Sequence, residues 1–131
     1  VSDTETLLAC IELWGLDKTL KKINGMFAFA LYDNSDSTIH LVRDRMGEKP
    51  LYYFHSNDSI LFASELKAIV NSGLIDIKIS DQAVSQYFKY SYINGPYSIY
   101  QNIKKLSPGE MIKIKFKNDC ISTFEKFFWF T

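Results

Sequence analysis

The chain has 131 residues, enough for one domain around one core, and its 47% apolar and 23% charged residues are those of an ordinary soluble globular chain. Fifteen basic side chains balance fifteen acidic ones, so no general electrostatic attraction to nucleic acid or to an anionic membrane is expected. No apolar run approaches the roughly 18 residues that cross a bilayer, and the opening VSDTETLLAC lacks the basic-then-apolar pattern of a signal peptide.

Cys10 and Cys120 form neither a CxxC pair nor a disulfide framework, and a reducing cytoplasm is the expected compartment. His40 and His55 fall in separate strand-like segments without Cys or His at ligand spacing, so no metal site is expected.

In chain order, Ser2-Asp3-Thr4-Glu5 reads as a capping box. Leu7, Ile11 and Trp14 follow at helical spacing and Gly15 ends the helix. A second short helix is expected over 17–23. Gly25 to Asp33 then alternates large and small residues. Phe27, Phe29 and Leu31 fill one face, Ala28 and Ala30 let a second layer approach on the other, and the pattern predicts a central strand buried on both faces. Asn34 to Ser37 is a turn, and Thr38 to Arg43 returns as an antiparallel strand because the connection is short.

After the loop Asp44 to Pro50, a third strand is expected over 51–54 and a fourth over 60–63, joined by the turn Ser56 to Ser59. Ser64 is expected to cap a helix over 65–71, stopped by Gly73. Ser80 is expected to cap another, with Val84, Tyr87 and Phe88 on one face. Ser107-Pro108-Gly109-Glu110 has Pro and Gly where a type II turn wants them. Ile112, Ile114 and Phe116 alternate with lysines, a strand with one wet face, and Asn118-Asp119 turns into a last short strand. The class is α+β with largely antiparallel sheets. The aromatic residues Tyr87, Phe88, Tyr90, Tyr92, Tyr97 and Tyr100 carry only Lys89 as a basic neighbour, which points to helix packing and a domain interface rather than to nucleic-acid stacking. Cys10, inside an apolar helix pattern without a nearby histidine, reads as a buried structural cysteine. The apolar tail Phe127 to Phe130 is expected to pack on a partner domain or on another copy of the chain.

Five segments carry a resemblance. Ser2-Asp3-Thr4-Glu5 resembles an SDTE helix start. Asn24 to Asp33, the run NGMFAFALYD, resembles a strand motif. Arg43 to Tyr53 resembles an RDxxGxxPLY loop. Phe62 to Ile69 resembles a SELKAL helix start, and Leu106-Ser107-Pro108-Gly109 an LPPG turn. In this order they resemble the class II glutamine amidotransferase domain of the asparagine synthetase type, over the C-terminal part of that domain, residues 1–131.

The resemblance implies an N-terminal-nucleophile hydrolase fold, with two antiparallel sheets packed between helical layers and here incomplete. In such domains an N-terminal cysteine attacks the side-chain amide of glutamine with its own α-amino group as base. The ammonia passes to a synthetase domain, where ATP and magnesium support amidation of aspartate. The sequence departs from this pattern at Val1, which has no nucleophilic atom. The nucleophile-bearing half, its substrate-carboxylate arginine, its oxyanion Asn-Gly and the SGGxDS loop of the synthetase domain have no counterpart in the chain. No catalytic residue and no cofactor is therefore expected within it.

By resemblance Asp3 binds the α-ammonium of glutamine, and Met26, Glu48 and Lys49 stand near the ammonia tunnel or the domain interface. Arg43, Asp44, Gly47 and Pro50 read as a loop-ordering motif. The expected partners are glutamine, a synthetase domain and further copies of the chain in a homo-oligomer, with no nucleic acid and no membrane. Two alternatives stay open: a noncatalytic interaction module built on the same half-fold, and an amidotransferase acting on another acceptor.

Overall fold

The computed structural model describes residues 2–130, so Val1 lies outside the described residues. The chain opens with α1 (Asp3–Trp14) and α2 (Leu16–Lys22). The capping box forms as expected: the Ser2 hydroxyl accepts from the Glu5 N–H at 3.2 Å, and the Ser2 N–H donates to the Glu5 carboxylate at 3.4 Å. Gly15 ends α1, and the buried Thr19 hydroxyl of α2 donates to the Cys10 carbonyl at 3.0 Å, tying the two helices together.

Two antiparallel sheets follow. Strands β1 (Ala28–Asp33), β2 (Thr38–Arg43), β6 (Glu110–Lys117) and β7 (Cys120–Phe128) form the first, in the order β1-β2-β6-β7. Strands β3 (Tyr52–His55), β4 (Ile60–Ala63) and β5 (Lys104–Lys105) form the second, in the order β4-β3-β5. Helices α3 (Leu66–Asn71) and α4 (Asp81–Tyr90) connect β4 to the segment before β5. The α+β class with antiparallel sheets and flanking helices stands as expected.

Alternation along β2 and β6 builds two cores from one sheet. Leu41, Ile112 and Ile114 point between the sheets and meet Leu51, Tyr53 and Leu106. Val42 and Met111 point the other way and pack on Leu20 of α2. Burying each of these side chains contributes about 1.5–3 kcal/mol before the entropy of ordering is counted. The turn at 107–110 forms, with the Glu110 N–H donating to the Ser107 carbonyl at 3.1 Å and Gly109 at φ +67°, a conformation that glycine adopts without a Cβ penalty.

Several expectations need correction. β1 is an edge strand, not a central one; its residues are half-buried or exposed, because among the described residues it pairs with β2 alone. Its alternation is real: Phe27 and Phe29 pack with the Leu20 cluster and Ala28 with the inter-sheet core. Ser64 caps nothing, since α3 begins one residue later than expected with Glu65 at its cap and no side-chain capping bond. Ser80 does cap α4, accepting from the Ala83 N–H at 3.2 Å. The buried residue of α4 is Ala83, however, while Phe88 is 83% exposed. The last strand is nine residues long rather than short. Of the apolar tail, Trp129 packs within its own chain against Phe27, while Phe127, Phe128 and Phe130 stay exposed. Cys10 is half-buried rather than buried.

Candidate functional site

Positions 3, 6, 7 and 10 follow the i, i+3, i+4, i+7 rule, so Asp3, Thr6, Leu7 and Cys10 share one face of α1. That face forms one wall of a cleft of about 850 Å³. The segment 23–29 that runs from α2 into β1 also lines it, together with Lys49, Pro50 and Ser64. The cleft has apolar walls and a few polar groups, the usual form of a small-molecule site.

Asp3 sits in the first turn of α1, where the helix dipole favours a negative charge. Its Oδ1 accepts from the Thr4 N–H at 2.8 Å. Among the described residues it has no ion-pair partner, so its charge is free to meet a cation in the cleft. Met26 is 58% exposed and lines the same space. Of the sequence candidates, then, Asp3, Met26, Lys49 and Pro50 come together. Glu48 is exposed and is not part of the lining. Cys10, Asn24, Thr6 and Ser64 join the site without having been singled out for it. The helical spacing from Asp3 was the readable signal for Thr6 and Cys10, whereas Asn24 and Ser64 arrive through the tertiary fold.

Arg43, Asp44 and Gly47 stand behind this wall and shape it. The Asp44 carboxylate, almost fully buried, accepts from the N–H groups of Met46 at 3.1 Å, Glu48 at 3.0 Å and Lys49 at 3.0 Å. Burial pushes its carboxyl up, but the N–H donors of Lys49 and Glu48 more than offset this and hold it below the ordinary value. The Arg43 guanidinium donates to three carbonyls, those of Lys49 (2.8 Å), Leu106 and Gly47. Gly47 has φ +66°, and a Cβ there would stand 2.7 Å from Pro108 Cγ and 3.0 Å from Arg43 Cζ. The conformation and the close approach each demand glycine.

Among the described residues no group of three or more His, Cys, Asp or Glu stands close enough to hold a metal ion. No helix among them is long and apolar enough to cross a membrane.

A family model described as a glutamine amidotransferase domain matches residues 1–129. "Asparagine synthetase [glutamine-hydrolyzing] 1" of Bacillus subtilis (strain 168) is 35% identical over 97% of this chain and 20% of its own length. "Putative asparagine synthetase [glutamine-hydrolyzing] 2" of Methanocaldococcus jannaschii is 41% identical over 80% of this chain and 21% of its own length. A third relative, "Asparagine synthetase [glutamine-hydrolyzing] 3" of Bacillus subtilis, is 34% identical over 85% of the chain and 18% of its own length. The chain thus spans about a fifth of the length of the curated relatives it matches.

Proposed function

Because this chain belongs to the glutamine amidotransferase domain family, we propose that it is the C-terminal part of a glutaminase domain of N-terminal-nucleophile hydrolase type, within a glutamine-dependent asparagine synthetase. The observation that carries this reading is the position of Asp3: a carboxylate with no ion-pair partner among the described residues, in the lining of a cleft of about 850 Å³. In the proposal Asp3 accepts from the α-ammonium of glutamine, and the apolar walls take the side chain.

Hydrolysis of the amide to glutamate and ammonia needs a nucleophile and oxyanion donors, and both are assigned to the half of the domain that precedes this one. Cys10 is not the nucleophile. It lines the cleft, but no histidine lines it with Cys10 to take the thiol proton. Ammonia then leaves past Met26 and Lys49, and Glu48, outside the lining, stands at or near the interface with a synthetase domain. That domain, with ATP and magnesium, amidates aspartate. The Arg43, Asp44, Gly47 and Pro50 motif holds the wall in place. The enzyme works in the cytoplasm. A homo-oligomer covers the exposed edge of β1 and the Phe127–Phe130 tail.

The test is an assay of the full-length protein with ATP, magnesium, aspartate and [amide-15N]glutamine. Labelled asparagine and free glutamate are the expected products. Release of labelled ammonia without asparagine would keep the glutaminase and remove aspartate as acceptor. No turnover of glutamine at all would remove the reading and favour a noncatalytic module.

A further inference from the structure

Asn24 lines the cleft together with the Asp3 face of α1, and its Oδ1 accepts from Arg45 Nη1 at 2.7 Å. A guanidinium only donates, so this contact decides which end of the amide is the oxygen. The Nδ2 group keeps two N–H donors with no acceptor among the described residues. What Asn24 offers a molecule in the cleft is therefore donors.

Arg45 is held firmly for this task. A second nitrogen, Nη2, donates to the Lys21 carbonyl at 3.2 Å, in the last turn of α2. Its guanidinium lies over the faces of Trp129 (5.5 Å) and Phe130 (4.8 Å). Its Nε is buried without a hydrogen-bond partner among the described residues. The side chain thus joins the end of β7, the end of α2 and the cleft wall.

We propose that Asn24 is a substrate-binding residue and Arg45 its positioning residue. The Asn24 amide donates from Nδ2 to an acceptor oxygen of the bound amino acid, and Arg45 fixes the amide so that donors, not the oxygen, are available. The inference rests on the glutamine reading above. It complements Asp3, which supplies the acceptor for the substrate's cation while Asn24 supplies the donor for its oxygen.

Asn24→Asp is the discriminating variant. It keeps the shape and gives Arg45 a stronger acceptor, yet it removes both donors. In the full-length protein the glutamine KM should rise about tenfold or more, with kcat changed less than about threefold and a Tm no lower than that of the wild type. A purely structural Asn24 would instead be satisfied by Asp, and its KM would not move. Arg45→Met should raise KM about three- to tenfold, and in an Asn24→Ala background it should add less than about twofold, because its effect runs through the amide. A glutamine KM within about twofold of wild type for Asn24→Asp, or effects of Arg45→Met and Asn24→Ala that multiply, would overturn the proposal. If Arg45→Met fails to fold, Asn24→Asp alone decides. Wild-type protein inert toward glutamine would sink the glutamine reading and this inference with it. An active wild type with Asn24→Asp unchanged would sink the inference alone.

Discussion

The Trp129 indole Nε1 donates to the main-chain carbonyl of Arg43 at 3.0 Å, across 86 residues of sequence. The Trp129 N–H donates to the Gly109 carbonyl at 3.0 Å, and the ring stacks on Phe27 at 5.9 Å. One side chain therefore joins the end of β7 to the end of β2 and to the residue that leads into β1. Trp129→Phe keeps a ring and loses the bond, which should cost about 1 kcal/mol. Trp129→Ala also loses the stack and should cost about 2–3 kcal/mol, below the range for fully buried tryptophans because this one is half-buried. Urea unfolding of the two variants, with Phe27→Ala for a double-mutant cycle, checks this. Additive effects of Trp129→Ala and Phe27→Ala would show that the stack carries no coupling.

Asp44→Asn replaces an acceptor of three N–H bonds by an amide whose NH2 end faces one of those donors. About 2–3 kcal/mol of stability should be lost, since a buried charge-assisted network is broken on one side. The same network sets an acid limit. The folded pKa of Asp44 lies below the ordinary 3.8, so its contribution is complete above that value and is lost as pH falls through the folded pKa. His40 acts in a higher window. Burial, and then the Lys113 ammonium, hold it below the ordinary 6.5, so the fold prefers the neutral ring. The stability it contributes is present above pH 6.5 and is lost as pH falls through the folded value. Wild type should therefore lose stability in two stages on acidification, the upper one reduced in His40→Gln and absent only when His55, which burial and then the Lys104 and Lys126 ammoniums also hold below the ordinary value, is replaced as well. A Tm profile flat from pH 7 to about 5 in wild type would contradict this.

Asp3→Asn should lower the ratio of glutamine-dependent to ammonia-dependent synthesis in the full-length protein. A charge-assisted bond becomes a neutral one, at a cost of about 1–3 kcal/mol, or roughly fivefold to 150-fold in glutamine kcat/KM. Steady-state kinetics with each nitrogen source reads the ratio. An equal loss with both sources would assign Asp3 to the stability of α1 instead.

If the nucleophile is the N-terminal cysteine of the proposed reading, with Val1 at the first position of this sequence, the purified 131-residue chain should not hydrolyse glutamine. Ammonia release that disappears in Cys10→Ser would reverse this and make Cys10 the reacting group.

Local chemistry was legible in the sequence. The capping box at Ser2 and the turns at 34–37 and 107–110 depend on near neighbours, and they form as read. Features that depend on what packs alongside were not legible. The apolar residues of β1 suit a central strand, yet its place at the edge is set by which strands lie beside it. Phe88 follows helical spacing, yet α4 buries its Ala83 side. In the site, Asp3 and Met26 were named from the sequence, while Asn24 acquires its meaning only when Arg45, 21 residues away, takes its oxygen.

The loop 44–50 contains no regular secondary structure, yet its amides are bound as a strand's would be. The N–H groups of Met46, Glu48 and Lys49 are held by one buried carboxylate, and that of Gly47 by the Asp44 carbonyl at 3.1 Å. In deuterium-exchange experiments these amides should label slowly, on the timescale of wider unfolding rather than of loop fluctuation. A protease should likewise find no ready cutting site there, so this loop would mark the edge of a resistant core and not a gap in it.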